Sequence, residues 1–139
     1  MNRSVSIQTD KATHHIYISN RGSGVPTIFL HGFTGSHHSW EEVVKRFKRP
    51  AITIDLPGHG KSTFNNLDAD YSIEDWCEDF NEILYSLDIH QIDLCGYSMG
   101  GRLAIGFAAK YPDKINKLIL ESASYGIENE KERGERFQE

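Results

Sequence analysis

The stretch that most narrows what this chain can fold into is Gly96-Tyr97-Ser98-Met99-Gly100-Gly101, which follows the apolar run Ile92 to Cys95 and precedes a helix-like segment. A serine framed by glycines at a strand-to-helix junction reads as a very tight turn, with the serine held in a strained conformation and its hydroxyl pushed out of the sheet. Gly96 and Gly100 are required there because side chains would collide with the neighbouring strand and helix. Ser98 is therefore the candidate reactive group.

The rest of the pattern supplies strands and helices in alternation. Residues 4–19 read as two short strands, with Val5, Ile7 and Thr9 alternating before a polar turn at Asp10-Lys11, then Ile16 and Ile18. Thr27 to Leu30 and Ala51 to Ile54 are continuous apolar runs, as expected of strands covered on both faces, and Lys117 to Glu121 is read as another buried strand. Between the first two runs, Ser39 and Glu42 are expected to cap a helix with Trp40, Val43, Val44 and Phe47 on its apolar stripe, stopped by Pro50. Ser72 with Asp75 caps a second helix, whose apolar face carries Ile73, Trp76, Cys77, Phe80, Ile83, Leu84 and Leu87. Its acidic face, Glu74, Asp75, Glu78, Asp79 and Glu82, is expected to be solvated. A third helix runs from Met99 to Tyr111, ends at Pro112 and is apolar almost all round, so it is expected to be buried. Strands alternating with helices imply a parallel α/β sheet.

Composition removes several classes of function. A net charge of −5 without a basic stripe argues against nucleic acid as a partner, and no apolar run reaches membrane-spanning length. The start, Met1-Asn2-Arg3-Ser4, leads into alternating polar sequence and not into an apolar signal core, so a cytoplasmic protein is expected. Cys77 and Cys95 are read as buried free thiols. His37-His38 lacks a third ligand and is not read as a metal pair; with His14, His15 and His90 these histidines are expected to be exposed.

Three motifs occur in a fixed order: His31-Gly32-Phe33-Thr34-Gly35 after one strand, Asp55-Leu56-Pro57-Gly58-His59-Gly60-Lys61-Ser62 after the next, and the serine turn after the third. Together they resemble the α/β-hydrolase superfamily. Trp40, the run Gly96 to Arg102 and Glu121-Ser122-Ala123-Ser124 are similar, within it, to the 2-succinyl-6-hydroxy-2,4-cyclohexadiene-1-carboxylate synthases of menaquinone biosynthesis. The resemblance implies an α/β-hydrolase fold, mostly parallel with helices on both faces, here reaching a sixth strand. Residues 1–121 would belong to the core and 122–139 would begin a cap. It implies Ser98 as the catalytic serine, the backbone N–H groups of Phe33 and Met99 as an oxyanion hole, and Tyr97, Arg102 and Arg136 as substrate-binding residues. The implied substrate is a small polycarboxylate, for which guanidinium groups are suitable partners. No metal or organic cofactor is implied. His31 and His59 are expected to be structural, bonded to backbone.

One departure from the family pattern stands out. All seven histidines precede Ser98, and Asp113, the only aspartate after it, lies too close to the third helix to serve as a triad acid. The chain is thus expected to be the N-terminal half of such an enzyme, a lyase that eliminates pyruvate, and to be inactive alone. A carboxylesterase or carbon–carbon bond hydrolase of the same fold, and a non-catalytic fragment, are the alternatives.

Overall fold

The computed structural model describes residues 2–66 and 70–123. One seven-stranded sheet carries β1 (Asn2–Gln8), β2 (Ala12–Ser19), β3 (Thr27–Leu30), β4 (Ala51–Asp55), β5 (Thr63–Phe64), β6 (Ile92–Tyr97) and β7 (Ile115–Glu121). Its order is β1-β2-β4-β3-β6-β7, with β5 added to β2. The β3–β4, β3–β6 and β6–β7 pairs are parallel, and the β1–β2 and β2–β4 pairs antiparallel. The helices are α1 (Glu41–Arg46), α2 (Ile73–Ser86) and α3 (Met99–Lys110).

Helices cover both faces, as the strand patterns require. On one face Ile16, Ile18, Ile28, Leu30, Ile52, Ile54, Ile92 and Leu94 meet α2 and α3 through Trp76, Phe80, Leu103 and Phe107. Trp76 stacks on Phe80 at 4.7 Å, and Phe80 meets Phe107 edge-on at the same separation. Each such buried aromatic contributes roughly 1.5–3 kcal/mol relative to exposure. On the other face Phe29, Ala51 and Cys95 lie under Trp40, with Val44 and Phe47 at the margin. Cys77 and Cys95 are buried free thiols, as expected.

The Ser72–Asp75 capping box forms as read from the sequence. The cap of the first helical segment does not involve Ser39 and Glu42. Ser36 is the N-cap and Ser39 its reciprocal partner, because a 3-10 turn, His37–Trp40, precedes α1. That turn moves the cap three residues back, and α1 ends at Arg46, with Phe47 already extended. Two further differences concern burial. β7 is exposed along most of its length, including Leu118, Ile119 and Leu120, because among the described residues it is an edge strand. α3 buries Gly100, Gly101, Leu103, Ala104 and Phe107, whereas Arg102 and Ala109 are exposed. β5 had no sequence signal, since two residues carry no alternation.

Candidate functional site

The site is assembled where β3, β4 and β6 end on the same side, as parallel strands in one sheet must. Ser98 joins β6 to α3 with φ 53° and ψ −111°, a backbone region that residues with a Cβ rarely occupy. The surroundings enforce it. A Cβ on Gly96 would lie 2.6 Å from the Gly101 Cα, and one on Gly100 would lie 2.6 Å from the His31 carbonyl oxygen. The head of α3 therefore sits directly on the end of β3. The Ser98 N–H donates to the Glu121 carbonyl at 3.0 Å, tying the turn to β7. Met99 is the first residue of α3, so its N–H is among the donors that a helix leaves without an internal acceptor, at the positive end of the dipole.

The loop after β3 lies against the serine. A Cβ on Gly32 would stand 2.9 Å from the Tyr97 ring and 3.4 Å from the Ser98 Cβ. Buried His31 locks this loop: its Nδ1 bonds the Gly32 carbonyl at 2.7 Å, and its Nε2 accepts the Leu56 N–H at 2.9 Å. Burial lowers the His31 pKa, although the Gly32 bond opposes this, and both ring nitrogens are engaged by backbone. The expected structural role of His31 is observed. His59 likewise bonds backbone, Nδ1 to the Pro57 carbonyl at 3.2 Å, and its ring meets Phe33 edge-on at 5.8 Å. Thr34, in the same loop, has φ 69°, a second strained residue beside the site.

Two depressions adjoin this turn. One, of about 610 Å³, is lined by the loop His31 to Gly35 together with Trp40, Tyr97 and Glu121. The other, of about 230 Å³, is lined by His59, Phe64, Tyr71, Trp76, Met99 and Arg102 among others. Tyr97 and Arg102 therefore line different depressions. Phe33 is 74% exposed and lines the first. Among the described residues no carboxylate lies within ion-pair distance of Arg102, and no histidine is hydrogen-bonded to Ser98. Arg136 lies outside the described residues. Among the described residues no group of three or more His, Cys, Asp or Glu side chains is arranged to hold a metal.

Two polar centres were missed by the sequence reading. Asp55 is fully buried and accepts the His37 N–H and the His37 ring at 2.8 Å, the Lys61 N–H at 3.0 Å and the Tyr17 hydroxyl at 3.3 Å. Burial pushes its pKa up, but the donors from His37 and Lys61 prevail and hold the carboxyl below its ordinary value. Asp79 is buried as well, bonded to His14, Thr9 and Tyr71. The expectation of a wholly solvated acidic face thus fails at Asp79, and that of exposed histidines fails at His14, which is fully buried, and at His15 and His37, which are partly buried. In both cases the partner arrives from a distant strand or loop. An imidazole at an inward position of β2 was the available signal.

No helix among the described residues is long and apolar enough to cross a membrane. A family model described as "alpha/beta hydrolase fold" matches residues 25–138. A Bacillus subtilis (strain 168) protein named provisionally as a 2-succinyl-6-hydroxy-2,4-cyclohexadiene-1-carboxylate synthase is 41% identical over 113 residues, covering 79% of this chain and 40% of the relative. The Escherichia coli O1:K1 / APEC protein of that name is 34% identical over 124 residues, covering 88% and 48%. Among solved structures, Cfl2 from Burkholderia cenocepacia superposes with a TM-score of 0.80 at 26% identity, covering 88% of this chain and 42% of that one. The chain thus spans less than half the length of these curated relatives.

Proposed function

Because this chain belongs to the alpha/beta hydrolase fold family, we propose that it carries the serine half of a lyase site that eliminates pyruvate to give 2-succinyl-6-hydroxy-2,4-cyclohexadiene-1-carboxylate. The observation that carries this reading is the placement of Arg102. It lies one helical turn beyond the strained Ser98, its backbone N–H on the Ser98 carbonyl at 3.1 Å, in a depression where no described carboxylate pairs with it. A guanidinium that no described carboxylate pairs with, one helical turn from a half-buried serine, suits a polyanionic substrate better than an apolar ester. The synthase names of the relatives support the same reading.

In this reading Ser98 acts within a base relay that removes a carbon-bound proton from the substrate. The electron pair moves onto oxygen as an enolate, and its collapse breaks the carbon–oxygen bond; the leaving group departs as the enolate of pyruvate and takes up a proton at carbon to become pyruvate. The N–H groups of Phe33 and Met99 stabilise the enolate oxygen, aided by the helix dipole at Met99. Tyr97 lines one side of the reacting centre, and Arg102 and Arg136 hold carboxylates. The relay needs a histidine; His31 is engaged by backbone on both nitrogens, and none follows Ser98. In this reading no described histidine acts as that base, and the 139-residue chain by itself is inactive.

The test is a side-by-side assay of pyruvate release and of ester hydrolysis by the protein expressed from its complete coding region. Pyruvate release with negligible ester hydrolysis supports the lyase. Ester or carbon–carbon bond hydrolysis that is indifferent to Arg102→Ala would establish the hydrolase alternative.

A further inference from the structure

The second depression owes one wall to a side chain held from behind by a buried carboxylate. Oδ2 of Asp79 receives three hydrogen bonds, from the Thr9 hydroxyl at 2.7 Å, His14 Nε2 at 2.9 Å and the Tyr71 hydroxyl at 2.8 Å. The donors come from three separate places: the β1–β2 turn, an inward position of β2, and the segment leading into α2. His14 is fully buried, and its Nδ1 has no partner, so the ring has one polar anchor, the Asp79 carboxylate. Tyr71 also meets Phe64 edge-on at 5.3 Å, and both rings line the depression that contains Arg102 and Met99.

We propose that Asp79 and Tyr71 form a positioning pair: Asp79, fixed by His14 and Thr9, holds the Tyr71 ring as the wall of the Arg102 depression and so sets the fit of the carboxylate-bearing part of a ligand. This rests on the reading of Arg102 as a carboxylate anchor. The physical basis is entropic and geometric. A ring held both by its contact with Phe64 and by its hydroxyl has few alternative rotamers, so a ligand entering the depression meets a preformed wall. Three donors on one ionised oxygen make that tether stronger than a neutral hydrogen bond. Burial and the three donors act on Asp79 in opposite senses, and the donors prevail, keeping the carboxyl below its ordinary pKa and so ionised at neutral pH.

The experiment uses the protein expressed from its complete coding region, with Tyr71→Phe, Asp79→Asn and Asp79→Ala variants. Pyruvate release is measured as KM and kcat separately, and phthalate, a planar dicarboxylate, is titrated calorimetrically as a non-reacting probe. Loss of the one hydroxyl bond in Tyr71→Phe should raise both KM and the phthalate dissociation constant about five- to tenfold, with kcat changed less than about twofold. Asp79→Asn, which keeps an acceptor, should fall between wild type and Asp79→Ala. If wild type releases no pyruvate yet binds phthalate more tightly than Tyr71→Phe, the lyase reading fails and the positioning pair stands. Equal KM and equal phthalate affinity in wild type and Tyr71→Phe, a loss confined to kcat or to melting temperature, or no phthalate binding by wild type, overturns the proposal.

Discussion

Replacing Asp55 by Asn tests how the frame of the site is held. The two oxygens of Asp55 serve different elements: Oδ1 accepts the His37 N–H and ring, and Oδ2 accepts the Lys61 N–H and the Tyr17 hydroxyl. An amide of the same shape has one acceptor oxygen, and its NH2 group must face donors on the other side. If the oxygen stays with His37, the part-buried bond to Lys61 is lost, at roughly 1.5–3 kcal/mol for a hydrogen bond to a charged acceptor. The His37 bonds, now to a neutral oxygen, weaken by roughly another 1 kcal/mol. Asp55→Asn should therefore destabilise by about 2.5–4 kcal/mol, a large share of the roughly 5–15 kcal/mol available to a domain. Urea unfolding of the protein expressed from its complete coding region reads this as a lower midpoint at unchanged slope.

The pH dependence adds a second reading of the same change. The folded Asp55 pKa is depressed, so its contribution is fully present above the unfolded carboxylate value, about 3.9, and is lost as pH falls through the lower folded value. Wild-type stability should fall across that acid window, and Asp55→Asn should remove part of the slope while Asp79 supplies another part. A loss below about 1 kcal/mol at neutral pH, with an unchanged acid slope, would refute the assignment of Asp55 as the hub of this frame.

Arg102→Ala is expected to lose roughly 2–4 kcal/mol of transition-state binding, read as kcat/KM for pyruvate release, because a charge-assisted contact and its desolvated partner are both involved. Arg102→Lys should recover little of it, since an ammonium cannot form the two-pronged contact, and unchanged kcat/KM in the alanine variant would remove the role. The 139-residue chain alone should self-associate through β7, an edge strand among the described residues, where Leu118, Ile119 and Leu120 are exposed. Light scattering should show association that the Leu118→Lys/Leu120→Lys double variant relieves; a monodisperse wild-type monomer would contradict this.

The order of strands and helices was legible because each signal is local. Strands buried on both faces produce the runs at Thr27 and Ala51, the Ser72–Asp75 box fixes the start of α2, and the glycines around Ser98 mark where the head of α3 meets β3. What stayed illegible depends on contacts distant in the sequence. Asp79 sits among acids that face water, and only the β1–β2 hairpin, which brings Thr9 and His14 onto it, makes it a buried acceptor. His37 reads as one of a polar pair, yet the 3-10 turn delivers its N–H and ring to Asp55. Ser39 and Glu42 fit a capping pattern as well as Ser36 and Ser39 do, and the preceding turn decides between them. In the candidate site, the serine, the Phe33 loop and Arg102 were each visible as motifs. Their division between two depressions was not, because Phe64 and Tyr71 reach the second from a loop without periodicity.

The most direct test of the central claim is the rate of pyruvate release by the protein expressed from its complete coding region, compared with its Ser98→Ala variant. The account predicts saturable pyruvate release by the wild type. Ser98→Ala should retain only a residual acceleration, roughly 10³–10⁴-fold over water, from oxyanion stabilisation and binding. Equal pyruvate release by the two proteins would mean that the strained turn at Ser98 does not carry the chemistry, and would contradict the account.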